Sequence, residues 1–183
     1  CQQYKGDIAA LIMEPIQGEG GDNHFRPEFF QGIRRLADKY EFLLIFDEVQ
    51  SGMGITGKMW TFQHTPIEPD ILAFGKKAQV CGIISGPRVD EVENNVFQES
   101  SRINSTWGGN LVDMVRATRY LEIIEEEKLV QHTAVMGEKM IGGLQAVADE
   151  SKGLISNVRG RGMMIAYDLP DMTKRDEMMK LLD

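Results

Sequence analysis

Two side chains near the middle of the chain could do covalent chemistry together. Lys76 closes the apolar run 70-DILAFGK-76, and Asp47 follows directly on 43-LLIF-46. A lysine at the end of a buried run is seldom there for packing, because its ammonium must reach water or a partner. An isolated Lys76–Lys77 pair would ordinarily turn to solvent; an acid at the end of a neighbouring strand changes that reading. The amine can condense with a carbonyl, and the carboxylate can keep a ring nitrogen protonated. A pyridoxal cofactor needs both groups. The lysine amine can then carry a proton, provided that desolvation keeps it neutral.

The elements that must position this pair are legible as an alternation. Residues 8-IAALIME-14 read as a buried strand, and 27-PEFFQGIRRLADKYE-41 as a helix with Pro27 at its start. Apolar Phe30, Ile33, Leu36 and Ala37 recur in that helix at helical spacing. Next come 43-LLIFDEV-49, a shorter segment 56-TGKMWTFQHT-65, and the run ending on Lys76. This order predicts an α/β fold, a mainly parallel sheet covered on both faces. In such sheets the ligand crevice lies outside the carboxyl ends of the strands, where Asp47 and Lys76 fall.

Beyond lie 83-IISGPRV-89, the loop 99-ESSRINSTWGGN-110, helices over about 111–128 and 131–149, a strand-like 155-ISNVRGRGMMIAYDL-169, and a terminal helix from 173. The change of pattern predicts a domain boundary after 128, giving domains of 1–128 and 129–183.

Composition narrows the class. The 183 residues could bury one sizeable core, or one domain and part of another. A net charge of −8 argues against non-specific nucleic-acid binding. No apolar run is long enough to span a bilayer, and no signal peptide opens the sequence. Cys1 and Cys81 make no disulfide framework, which fits a reducing, cytoplasmic setting. His24, His64 and His132 show no ligand spacing, so no metal site is expected. The chain opens without Met and closes inside a helical pattern, so it reads as a fragment of a longer protein.

One competing motif must be weighed. An apolar strand ending in Asp47-Glu48, with 52-GMGITGKM-59 close by, imitates a P-loop ATPase. Met59 follows Lys58 where a magnesium-binding hydroxyl is needed. The glycines also follow the acidic strand directly, without a strand of their own, and Trp60 stands where a phosphate-binding helix should open. A non-catalytic interaction protein with the same fold is the other alternative.

Five stretches, in order, resemble the class III (ornithine/GABA-type) aminotransferases, a fold-type I pyridoxal-phosphate family. They are 14-EPIQGEGGD-22, 46-FDEVQSGMGITGKMW-60, 70-DILAFGKK-77, 104-NSTWGGN-110 and 158-VRGRGMM-164. The resemblance implies that the chain holds part of the large cofactor domain and the start of the small C-terminal domain. It implies that Lys76 bonds pyridoxal 5'-phosphate, with Lys77 a bystander, and that Asp47 pairs with the pyridinium nitrogen. Gln50 would hydrogen-bond the phenolic oxygen. Ser105 and Thr106 would reach the phosphate of a neighbouring subunit, making a homodimer necessary, and Asn104 would line the same region.

The remaining implications concern substrate. Glu14 either ends its strand or lines the substrate site. Glu19 would pair with an arginine outside this chain while the donor binds side-chain first, then release it to the 2-oxoglutarate carboxylate; such pairing is directional. Stretches 73-AFGKKAQVCG-82, 88-RVDEVENNVF-97 and 101-SRINSTWGGNLVDMVRA-117 are most similar to members acting on the ε-amino group of L-lysine. The implied products are glutamate and 2-aminoadipate 6-semialdehyde, which cyclises; 4-aminobutyrate or ornithine is the alternative donor. The isolated 183 residues are expected to bind the cofactor weakly and to turn nothing over. Eleven methionines read as core filler, 122-EIIEEEK-128 as a solvated helix face, and Arg159 and Arg161 as part of a glycine turn that could bind an anion.

Overall fold

The computed structural model describes residues 1–4, 6–103 and 105–182. Strand β1 (Ala10–Met13) runs into a small hairpin of β2 (Ile16–Gln17) and β3 (Asn23–His24). Helix α1 (Pro27–Tyr40), β4 (Leu43–Asp47), β5 (Ile71–Phe74) and β6 (Gly82–Ser85) follow. The sheet order is β1-β4-β5-β6, with β1, β4 and β5 parallel and β6 antiparallel at the edge. The expected mainly parallel sheet is present, and 83–89 supplies its antiparallel edge.

The α1 segment forms a helix because Pro27 presets its first turn and Glu41 ends it in the left-handed conformation. It buries Phe30, Ile33 and Ala37 against Leu44 and Phe46. Leu36 is 44% exposed, so the apolar stripe is narrower than its spacing predicted. At 3.6 residues per turn Leu36 sits roughly 90° from the centre of that stripe. Asp70 locks the start of β4 to the start of β5. Its carboxylate accepts from Leu44 N at 2.7 Å and from Arg34 Nη1 at 3.0 Å.

Alternation along β4 decides which face carries the chemistry. Leu44 and Phe46 are fully buried under α1, while Ile45 and Asp47 lie on the opposite face. There Ile12, paired with Ile45, is 65% exposed. Cover on both faces was expected; these residues supply it on one, because they contain a single strand–helix–strand crossover. Asp47 is on the uncovered face.

The second half begins with α2 (Leu111–Glu126) and α3 (Leu129–Glu150), broken at Lys128 in the left-handed region. The segment 155–169 was read as one strand-like run; it is an antiparallel hairpin of β7 (Ser156–Arg161) and β8 (Met164–Asp168). A two-residue turn with Gly162 at positive φ makes the reversal. Its tip is tied to the first half, since Met163 N donates to Ile55 O at 2.9 Å. Helix α4 (Met172–Leu182) closes the fold. Among the described residues no helix is long and apolar enough to cross a membrane.

Candidate active site at the carboxyl ends of the parallel strands

The parallel register brings the predicted acid and amine to one edge. Asp47 pairs with Ala73, three residues before Lys76, and Glu48 N donates to Ala73 O at 2.9 Å. Strand β5 ends at Phe74 and Lys76 opens the turn that follows, on the rim where such sheets hold ligands. One Asp47 oxygen accepts from Val49 N at 3.0 Å. The other makes no hydrogen bond among the described residues and is free for a cation. Lys76 is exposed, and no hydrogen bond or ion pair among the described residues engages its amine.

Lys77 is treated differently. It is half-buried, and its Nζ donates to Gln50 O. Burial lowers its pKa, the neighbouring Lys76 lowers it further, and Glu48 opposes both. Glu48 is only 1% exposed and accepts from Thr61 N at 2.5 Å and Phe62 N at 2.7 Å. Burial pushes its carboxyl above the usual range, against the pull of those donors and of Lys77. The rim therefore rests on a buried carboxylate and on the half-buried amine of Lys77, the lysine expected to be a bystander. Alternation held the signal: of two successive acids after a strand, one must face inward.

Gln50 meets the 14–22 turn. A Cβ on Gly18 would lie 2.7 Å from Gln50 Oε1, so a larger residue there would push the Gln50 amide aside. Gly18 N donates to Glu14 Oε2 at 3.1 Å, so Glu14 braces the turn. Glu19, at the tip, is exposed. Ser105 and Thr106 are exposed in a turn closed by Gly108 N on Ser105 O at 3.1 Å. No hydrogen bond among the described residues joins them to the rim. Asn104 lies outside the described residues. The geometry thus gathers Glu14, Asp47, Gln50 and Lys76 along one edge and leaves Ser105 and Thr106 apart.

The ATPase alternative finds no support. Residues 52–58 form a turn directly after β4, and Lys58 Nζ is spent on Gln63 O at 2.8 Å. A 3-10 turn over Thr61–His64 stands where a phosphate-binding helix would open. The donor set instead fits a pyridoxal group, with one free carboxylate oxygen and an unengaged amine on the same rim.

Known proteins extend this picture. The aminotransferase class-III family matches residues 1–183. The L-lysine-epsilon aminotransferase of Mycobacterium tuberculosis (strain ATCC 25618 / H37Rv) is 53% identical over 96% of this chain and 39% of its own length. A 4-aminobutyrate aminotransferase of Emericella nidulans is 39% identical over 97% of this chain and 35% of its own. The solved lysine aminotransferase from M. tuberculosis superposes with a TM-score of 0.94 at 52% identity, covering 98% of this chain and 41% of that one. The chain spans about two fifths of the length of these relatives.

Proposed function

The chain belongs to the class III aminotransferases, and on that premise we propose that the complete protein moves the ε-amino group of L-lysine to 2-oxoglutarate. The observation that carries this reading is the gap between 53% identity to L-lysine-epsilon aminotransferases and 39% to a 4-aminobutyrate aminotransferase. The products are glutamate and 2-aminoadipate 6-semialdehyde, which cyclises.

Pyridoxal 5'-phosphate, on which class III aminotransferases depend, supplies the carbonyl and the electron sink of amino transfer. Lys76 would hold it through Nζ, and that amine, once released by the incoming donor amine, would move the proton at the donor Cε. The Asp47 oxygen left without a partner among the described residues would keep the ring nitrogen protonated. Gln50, its side chain packed on Gly18, would donate to the phenolic oxygen. Ser105 and Thr106 would serve the phosphate of a partner subunit, so the active form would be a homodimer; both residues are exposed and make no hydrogen bond to the rim among the described residues. Asn104 lines that same region. Glu14 holds the turn that presents Glu19, and Glu19 selects between the ω-amino donor and 2-oxoglutarate.

The break at Lys128 supports dividing the chain into 1–128, from the large domain, and 129–183, from the small one. The enzyme works in the cytoplasm. Alone, the 183 residues bind the cofactor weakly and are inactive.

An end-point assay of the complete protein tests the function. Lysine, ornithine and 4-aminobutyrate compete as donors to 2-oxoglutarate. The six-membered cyclic product of lysine should dominate; product from ornithine alone would sink the lysine assignment.

A further inference from the structure

The turn that carries Glu19 is held at its base by Glu14 on Gly18 N and by the β2–β3 pairing, while its tip is built from residues of wide backbone freedom. Gly20, Gly21 and Asp22 all have positive φ, and two adjacent glycines have the widest backbone freedom of any pair. Within the turn, Gly21 N and Asp22 N reach Gly18 O at 3.3 and 3.2 Å. Glu19 makes no side-chain hydrogen bond among the described residues, so its place is set by the backbone beneath it.

That backbone is gripped from the other half of the fold. Arg159, on β7, donates from Nε to Gly21 O at 2.9 Å and to Asp22 O at 3.3 Å, and its Nη2 also donates to Gly21 O. The guanidinium is braced from behind. Nη1 donates to Asp168 Oδ1 and to Asn157 O, each at 2.8 Å, and Asn157 Nδ2 donates to Asp168 Oδ2 at 2.8 Å. All three guanidinium nitrogens are engaged and the side chain is 18% exposed. The rigid donor fork of arginine suits this pair of carbonyls, and a lysine could satisfy only part of it. A Cβ at residue 21 would lie 2.9 Å from Nη2, so the approach also requires Gly21.

We propose that Arg159 is a positioning residue for substrate selection: braced by Asp168, it fixes the Gly18–Asp22 turn from β7 and thereby fixes where Glu19 stands. The inference rests on the proposed role of Glu19. It gives the first arginine of VRGRG a task other than anion binding, since its donors are spent on carbonyls and a carboxylate.

The test uses the complete, cofactor-loaded protein with Arg159→Ala, Arg159→Lys, Glu19→Gln and the Arg159→Ala/Glu19→Gln double variant. Two quantities are read: amide hydrogen exchange over residues 18–22, and the ratio of kcat/KM for L-lysine to that for L-glutamate, the donor of the reverse half-reaction, which brings the second carboxylate instead of an ε-amine. Arg159→Ala should speed exchange in the turn about tenfold and lower the ratio about tenfold, through KM more than kcat, with Arg159→Lys intermediate. The double variant should be no worse than Glu19→Gln alone, because the two residues act as one unit.

Unchanged exchange in Arg159→Ala, or losses that add in the double variant, would overturn the inference and leave the aminotransferase reading intact. A Glu19→Gln enzyme with unaltered discrimination would remove the role of Glu19, and the inference with it. Absence of lysine turnover in the unaltered protein would instead reject the proposed function.

Discussion

The rim of the sheet and the loop over 99–110 both hold predicted site residues, and the chain supports them unequally. At the rim, Asp47, Gln50 and the backbone around Lys76 stand on parallel pairing, on buried Glu48 and on Lys77. In the loop, Ser105 and Thr106 are exposed and Trp107 is 76% exposed. The difference teaches which part of a site one chain can build. Residues at strand ends inherit their geometry from the sheet, whereas the described residues of the 99–110 loop are held by local bonds, Gly108 N on Ser105 O and Arg102 Nη1 on Asn94 O.

The largest effect tests the rim itself. Lys76→Ala in the complete protein should cut turnover by roughly a hundredfold to ten-thousandfold and abolish the absorbance of bound cofactor. Steady-state kinetics and a visible spectrum read both. Asp47→Asn should lower kcat by about a hundredfold or more while the cofactor stays bound, since it removes a charge aimed at the ring nitrogen. Equal kcat in that variant would show that the free carboxylate oxygen faces nothing reactive.

Support beneath the rim comes next. Glu48→Ala strands the Thr61 and Phe62 amides and should destabilise the protein by about 2 kcal/mol or more, measured by denaturant unfolding. Lys77→Ala, which loses one bond to Gln50 O, should cost about 1 kcal/mol and retain the cofactor absorbance.

The smallest effect is a pH slope. His64 Nε2 lies 3.1 Å from Thr56 O, and burial, with Arg161, Lys58 and His24 nearby, lowers its pKa to about 4. Its unfolded value is about 6.5, so the unfolded state binds more protons between the two. Stability should be full above about pH 6.5 and fall as pH drops towards 4; His64→Gln should flatten the slope. A Glu48-like carboxylate is absent from the 99–110 loop, and there the same mutational depth should leave stability almost unchanged.

Much of this was legible in the residues. Apolar runs ending in Asp47 and Lys76 announced the strands and the rim, and Pro27 with Phe30, Ile33 and Ala37 announced α1. What escaped notice depends on contacts distant in sequence. Leu36 matched the helical spacing yet faces outward, because spacing does not say where the stripe is centred. Asp70 looked like the first residue of a strand, and only pairing shows it bonded to Leu44 N. Arg159 was hidden in a glycine motif, since its partners, Gly21 and Asp22, lie more than a hundred residues away. The glycines of VRGRG signal a turn within 155–169, but only the pairing of Arg161 with Met164 shows that Gly162 makes it and that two strands result.

Lys76 and Lys77 differ sharply: the first is exposed and its amine has no partner among the described residues, while the second is half-buried and bonded to Gln50 O. Borohydride trapping of the cofactor in the complete protein, followed by peptide mass spectrometry, decides between them. The cofactor mass is expected on Lys76 alone; the same mass on Lys77 would show that the buried amine, not the exposed one, carries the group.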